Sequence, residues 1–283
     1  MESKKFAVIG GDSRNLSLAK FFEDDGHLVS TFALGDLDCA TLDIAVTGAD
    51  VVVGPIPFSN DGKTLNTPLY NESILINNFL KAIGKKSIIV AGKFEDATIS
   101  QADYYKITIV DILKREDFAV LNAIPTAEGA IQIAMQETHH TINSSNVCVI
   151  GYGRIGKTVS RMLNGLGANV YVALKSFEEK AYAKAFAIHT IHISELENYL
   201  PKMDIIINTA PAKILDFNIL KKVNKQSLII DVASSPGGVE FDKARELGIK
   251  TIWALSLPGK VAPLSSACII RDTVYNILAE LEE

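Results

Sequence analysis

The chain has 283 residues, 48% hydrophobic and 22% charged, with a formal net charge of −5, a globular composition too long for one typical core and suited to two domains. No run of lysine or arginine offers the basic footprint of a nucleic-acid binder, and no apolar run approaches the roughly eighteen residues that span a bilayer. Cys39, Cys148 and Cys268 are odd in number and far apart; they fit neither a disulfide framework nor a metal site and, with no signal-peptide pattern at the start, point to a reducing, cytoplasmic setting.

In chain order, β-like runs at 6–9, 28–32, 51–53, 87–90 and 107–110 alternate with helical patterns at 16–23, 72–81 and 99–105, which predicts a parallel sheet covered by helices. The first strand ends in Gly10-Gly11-Asp12-Ser13-Arg14. This is no dinucleotide fingerprint, but it sets backbone N–H groups and an arginine at the strand edge where open α/β sheets bind ligands. A boundary is expected at Pro125, which biases Ile124 away from helix, with Thr126 capping a linker helix over 126–139. Residues 1–125 therefore form one domain, flavodoxin- or Rossmann-like, and 126–264 a second. The spacing of Ile269, Ile270, Val274, Ile277, Leu278 and Leu281 predicts a helix over 265–281, long enough for the segment 265–283 to return to the first domain.

The second domain opens on its most specific signal. Residues 146–150 form an apolar strand running into Gly151-Tyr152-Gly153-Arg154-Ile155-Gly156, with a helical pattern behind and another strand at 169–174. Gly151 permits a tight turn, Gly153 lets backbone approach a pyrophosphate, and Gly156 lets helix pack on strand. The second strand ends in Lys175-Ser176 with no carboxylate before Glu178. An NAD site places Asp or Glu there for the ribose hydroxyls, whereas a cation and a hydroxyl suit the 2′-phosphate of NADP(H). A solvated lysine is the alternative at Lys175. Further strands are expected at 187–191, 204–208, 227–231 and 250–253.

The strand-end loops supply the remaining candidates. Thr209-Ala210-Pro211, Val232-Ala233 and Pro258 are read as cofactor contacts, because small residues and proline keep ribose and nicotinamide close to backbone; plain turn chemistry is the alternative for each loop. Gly10, Gly11, Asp12, Ser13 and Arg14 are candidates for a carboxylate, Arg14 by a two-pronged grip. Thr126, Ser234 and Ser235 are candidates for polar contact with substrate or nicotinamide, and Lys93 for acid–base work. His139 and His140 end the linker helix, and His189 and His192 lie in or near a strand. No histidine follows His192, which disfavours the histidine acid–base chemistry of two-domain 2-hydroxyacid dehydrogenases.

The opening Ala7-Val8-Ile9-Gly10-Gly11-Asp12-Ser13-Arg14, the segment Ile124-Pro125-Thr126-Ala127-Glu128-Gly129, the fingerprint, and the runs 231–238 and 257–263 together resemble the family of dipicolinate synthase A subunits over nearly the whole chain. Lys175-Ser176 stands where that family suggests arginine-serine, and Lys260 where it suggests an apolar residue. The resemblance implies oxidation of dihydrodipicolinate, derived from the lysine-pathway intermediate hydroxytetrahydrodipicolinate, to pyridine-2,6-dicarboxylate by NADP⁺. It places that reaction in the mother-cell cytoplasm of a sporulating bacterium, with the flavoprotein-like B subunit of dipicolinate synthase as partner and homo-oligomers expected. A non-catalytic protein that supplies NADPH to the flavoprotein is the alternative.

Overall fold

The structure, a computed structural model, describes residues 2–35 and 38–282. It divides into two compact units, Met1–Leu121 with Ala262–Glu283, and Asn122–Val261. Each is a parallel sheet with helices on both faces.

In the first unit, β1 (Lys5–Ile9), β2 (Leu28–Phe32), β3 (Val51–Val53), β4 (Ile88–Ala91) and β5 (Thr108–Asp111) are joined through α1 (Ser13–Asp24), α2 (Leu42–Val46), α3 (Ile76–Ala82) and α4 (Asp96–Tyr105). Strand order is β2-β1-β3-β4-β5, all parallel. This flavodoxin-like order has its switch point between β1 and β3, where such sheets open a crevice at their carboxyl ends. Both faces are buried, so strands such as Val51-Val52-Val53 are continuously apolar. Ala7, Ile9, Val52 and Ile89 enter one core cluster, and Phe6, Val8, Val51 and Val90 the other.

The carboxyl-terminal helix is longer than its periodicity indicates and completes that second cluster with Ala267, Ile270, Val274, Ile277 and Leu278. Polar contacts fix its register: Tyr275 donates to Asp25 (2.8 Å), Arg115 forks between Asp117 and Glu280, and Lys4 pairs with Glu282 (2.7 Å). Burial alone contributes about 1.5–3 kcal/mol for each large aliphatic side chain.

In the second unit, β6 (Asn146–Ile150), β7 (Asn169–Leu174), β8 (His189–His192), β9 (Ile205–Asn208), β10 (Leu228–Asp231) and β11 (Lys250–Trp253) lie in the order β11-β10-β9-β6-β7-β8, all parallel. Read from β8, this is the doubly wound dinucleotide-binding order, with its switch point between β6 and β9. Along β6 and β9, Val147, Val149, Ile205 and Ile207 face one core while Cys148, Ile150 and Ile206 face the other. Burial pushes the Cys148 thiol up to about 12, so this cysteine is an inert core residue.

Several local expectations differ from the structure. A single helix, α5 (Glu116–Glu137), replaces the helix over 126–139 and runs through Pro125. Ala123, Ala127, Ala130, Ile131 and Ala134 on it are all buried, and that packing outweighs the one backbone bond a proline forfeits. Unit boundaries accordingly fall at 121/122 and 261/262 rather than at 125/126 and 264/265. This helix is also long and apolar enough by composition to cross a membrane, contrary to the expectation from the sequence, but its buried alanines make it a core helix here. The helix expected at 72–81 starts only at Ile76, because Leu75 forms a bridge with Thr64. Finally, the proline-rich segment after β11 coils into a short helix, Leu257–Val261, before the last helix begins at Pro263.

Candidate functional site

The glycine turn after β6 satisfies three different constraints. Gly151 has φ +93°, the left-handed region that favours glycine. A Cβ on Gly156 would collide with the Gly151 carbonyl oxygen, so this residue lets α6 (Arg154–Gly165) sit down on the turn. Gly153 is neither: its φ is −73°, and a Cβ there would meet nothing within 4 Å. No packing demand within the chain explains it. Helix α6 begins at Arg154 with no side-chain cap, beside the open space that a Gly153 side chain would fill. That cradle fits the pyrophosphate of a dinucleotide. Tyr152 is buried beneath it and Ile155 packs against the same core cluster.

Around this turn the β9 and β10 ends are tied together by a buried network that sequence reasoning missed. Asp231, fully buried, accepts from Asn208 Nδ2 (2.8 Å) and the Ala233 amide (3.0 Å) on one oxygen, and from the Gly238 amide (2.7 Å) on the other. Asn208 also donates to the Ala210 carbonyl (3.0 Å), and Trp253 Nε1 to that of Ala233 (3.1 Å). The loops carrying Ala210-Pro211 and Val232-Ala233 are therefore held by one carboxylate and one amide. A charged residue ending the apolar run Leu228-Ile229-Ile230 was the signal available. Thr209 looks inward, donating to the Ile150 carbonyl (2.9 Å). Ser234 and Ser235 are exposed on the β10 loop, and Pro258 is buried in the short helix after β11.

At the end of β7, Ser176 caps α7 (Phe177–Ala185), its Oγ accepting from the Glu178 and Glu179 amides. Lys175 is exposed beside it. Two histidines of this unit stand apart from the fingerprint: His139 and His140, just past α5, line a cavity of about 540 Å³ at the amino-terminal ends of β9 and β10, with Glu137, Asp204, Lys225 and Lys250.

In the first unit, Gly10 (φ +65°) and Gly11 (φ +101°) shape the turn after β1, and a Cβ on Gly11 would collide with buried Asn15. Their amides are used internally, by the Phe32 and Asn66 carbonyls (2.9 and 3.1 Å). Asp12 caps α1 and receives the fork of Arg14, with Nε at 2.9 Å from Oδ1 and Nη2 at 2.9 Å from Oδ2; Nη2 also reaches the Ile56 carbonyl (2.7 Å). Burial opposes the charge on Asp12, but the Arg14 bonds prevail and hold its carboxyl below the usual range. The two-pronged grip expected of Arg14 is thus closed on Asp12, two residues away. Ser13 is exposed at the first turn of α1. Lys93, at φ +63° after β4, has an exposed side chain while Asp111 takes its amide (3.1 Å). Thr126 is no cap: it lies within α5 and its hydroxyl donates to the Asn122 carbonyl (2.8 Å). Among the described residues, no group of acidic, histidine or cysteine side chains could hold a metal.

Comparison with known proteins agrees with this division. Residues 5–113 match the family described as the N-terminal domain of the dipicolinate synthase A subunit, and residues 126–240 that described as D-isomer specific 2-hydroxyacid dehydrogenase, NAD binding domain. The A subunit of dipicolinate synthase from Bacillus subtilis (strain 168) is 33% identical over 287 residues, covering 98% of this chain and 97% of the relative. The crystal structure of the Bacillus subtilis protein superposes with a TM-score of 0.90 at 32% identity, covering 100% of this chain and 98% of that one. That of the Bacillus halodurans protein gives 0.88 at 31%, covering 98% of each.

Proposed function

This chain belongs to the family of dipicolinate synthase A subunits, and on that premise we propose that it is the NADP-dependent oxidoreductase that converts dihydrodipicolinate, derived from hydroxytetrahydrodipicolinate, to pyridine-2,6-dicarboxylate during sporulation. Its setting is the mother-cell cytoplasm, where it acts as a homo-oligomer with the flavoprotein-like B subunit of dipicolinate synthase. The observation carrying the reading is the turn at Gly153, a glycine required by neither backbone conformation nor internal packing, at the uncapped start of a Rossmann helix.

The nicotinamide cofactor is held by the 151–156 turn and flanked by the loops that Asn208 and Asp231 brace. When bound as NADP⁺ it supplies a hydride acceptor. Preference for NADP(H) over NAD(H) rests on the end of β7, where Lys175 and Ser176 replace the carboxylate that would bind a free ribose diol. Loss of hydride and proton makes an aromatic pyridine, so the protein needs only a modest base. Its main tasks are to hold two carboxylates and aim one ring carbon.

The first unit is assigned to substrate. The amide and hydroxyl of Ser13 at the start of α1 take one carboxylate, and the Gly10–Gly11 turn shapes the loop that presents them. The Asp12–Arg14 pair keeps that turn in shape and offers only the remaining Nη1. Ser234, Ser235 and Thr126 are proposed polar contacts, and Lys93 the proton donor for loss of water. One observation favours a second reading, a protein that binds NADPH for its flavoprotein partner without touching substrate: Arg14 already has a full partner within the chain. Turnover of enzymatically generated precursor with NADP⁺, with and without the B subunit, separates the two. Product formed by this chain alone supports catalysis, and product formed only when the flavoprotein partner is present supports supply.

A further inference from the structure

Beside the end of β7 lies a small cavity of about 30 Å³, lined by Lys175, Ser176, Phe177, Lys180 and His192 over Leu174. Three separate elements build it. Lys175 and Ser176 follow β7; Lys180 stands one turn into α7, its amide bonded to the Ser176 carbonyl (3.0 Å) and hence on the same side as that residue. His192 is the last residue of β8, paired with Leu174 in the strand register. Nothing in the sequence joins Lys180 and His192 to Lys175; the β7–β8 pairing does.

The lining is one-sided in charge. Lys175, Lys180 and His192 line the cavity, and Glu178 and Glu179, although on the same helix, do not. His192 Nδ1 accepts from the Ser194 amide (3.4 Å) and lies 2.6 Å from Ser194 Oγ, which puts the hydrogen of the neutral ring on Nε2 and leaves a donor there. Ser176 Oγ accepts from two helix amides, so its own O–H is left to donate. A ribose diol calls for an acceptor carboxylate; donors with no carboxylate suit a phosphomonoester dianion.

We propose that Lys180 and His192, together with Lys175 and Ser176, form the binding site for the 2′-phosphate of the cofactor's adenosine ribose, and so determine its choice. The inference rests on the NADP reading above and adds two specificity-determining residues to it. Both are exposed, so their replacement leaves the fold intact, and each contact, screened by solvent, is worth about three- to tenfold in affinity.

The test is calorimetric titration of the full chain with adenosine 2′,5′-bisphosphate and with adenosine 5′-diphosphate, two fragments that differ in where the second phosphate sits and need no turnover. Wild type binds the 2′,5′-bisphosphate more tightly. Lys180→Ala and His192→Ala each weaken it three- to tenfold without changing the 5′-diphosphate, and Lys180→Arg retains the preference. If wild type prefers the bisphosphate but both alanine variants keep that preference, or weaken the two ligands equally, Lys180 and His192 are not in the site and this proposal falls alone. If wild type shows no preference, the NADP reading falls with it.

Discussion

Substituting the three fingerprint glycines one at a time separates cofactor binding from folding, because each glycine meets a different demand. At Gly153 a new Cβ meets no atom within 4 Å and the backbone is ordinary, so Gly153→Val changes stability by less than about 1 kcal/mol. The same side chain fills the space at the start of α6 and costs at least one charge-assisted amide–phosphate bond, about 1.5–3 kcal/mol or roughly ten- to a hundredfold in affinity. At Gly156 the new Cβ runs into the Gly151 carbonyl. Because that oxygen belongs to backbone, Gly156→Ala costs about 1–3 kcal/mol by overpacking, a fall of several degrees in Tm for a unit of this size. Gly151→Ala adds strain at φ +93° and a 2.7 Å approach to Thr209 Oγ1. The assay is thermal unfolding of each variant beside calorimetric titration with NADPH. A Gly153→Val protein that melts like wild type and still binds NADPH normally would refute the assignment of the cradle.

Four further outcomes follow from the same geometry. NADP(H) binds about ten- to a hundredfold more tightly than NAD(H), and Lys175→Ala narrows the gap, checked by paired titrations; equal affinities contradict the reading of the β7 end. Arg14→Ala removes the fork from partly buried Asp12 and destabilises the first unit by about 1–3 kcal/mol in denaturant titration, with Arg14→Lys recovering only part of the loss; an unchanged midpoint would free Arg14 for substrate. Asp231→Asn places an NH₂ against the amides now facing carboxylate, so it loses about 1–3 kcal/mol and raises KM for the cofactor, where a wild-type KM and Tm would dismiss the network.

The fourth concerns pH. Arg115 hydrogen bonds, with burial opposing, hold Asp117 down to about 2. A carboxylate depressed in the fold contributes stability that is complete above its unfolded value near 4 and lost as pH falls towards 2. For this partly exposed pair that is about 1 kcal/mol after screening, and it is absent in Arg115→Ala. Burial holds the His27 imidazole below its ordinary range, so its contribution is complete above its unfolded value of about 6.5 and declines as pH falls. An acid limb identical in wild type and Arg115→Ala would remove the Asp117 term.

Much of this architecture is legible in the chain because both sheets obey period and punctuation: strand runs of three to six residues, helical patterns between them, and glycines at turns that need positive φ. The glycine turn of the candidate site was legible because one local motif carries it, at 151–156. Legibility failed where tertiary packing overrules a local rule: Pro125 sits inside α5 since the alanine face of that helix has a core to fill, and Pro258-Gly259 coils instead of turning, with Leu257 wedged 3.1 Å from where a Gly129 side chain would begin. It failed again where charge pairing decides a role. A sequence lists Arg14 and Asp12 as two ligands for something else, and only the first turn of α1 turns them on one another. Lys180 and His192 lie twelve positions apart, and strand pairing alone unites them.

Hydride transfer from a dihydropyridine dicarboxylate to NADP⁺ by this chain can be followed in a single turnover. The purified chain, in excess over enzymatically generated precursor and with NADP⁺ present, is followed by NADPH absorbance while pyridine-2,6-dicarboxylate is quantified in the quenched mixture. NADPH and product are expected in equimolar amounts, and at subsaturating NADP⁺ both form roughly ten- to a hundredfold more slowly in Gly153→Val. Product appearing without stoichiometric NADPH, or neither forming until the flavoprotein partner is added to the mixture, would overturn that reading.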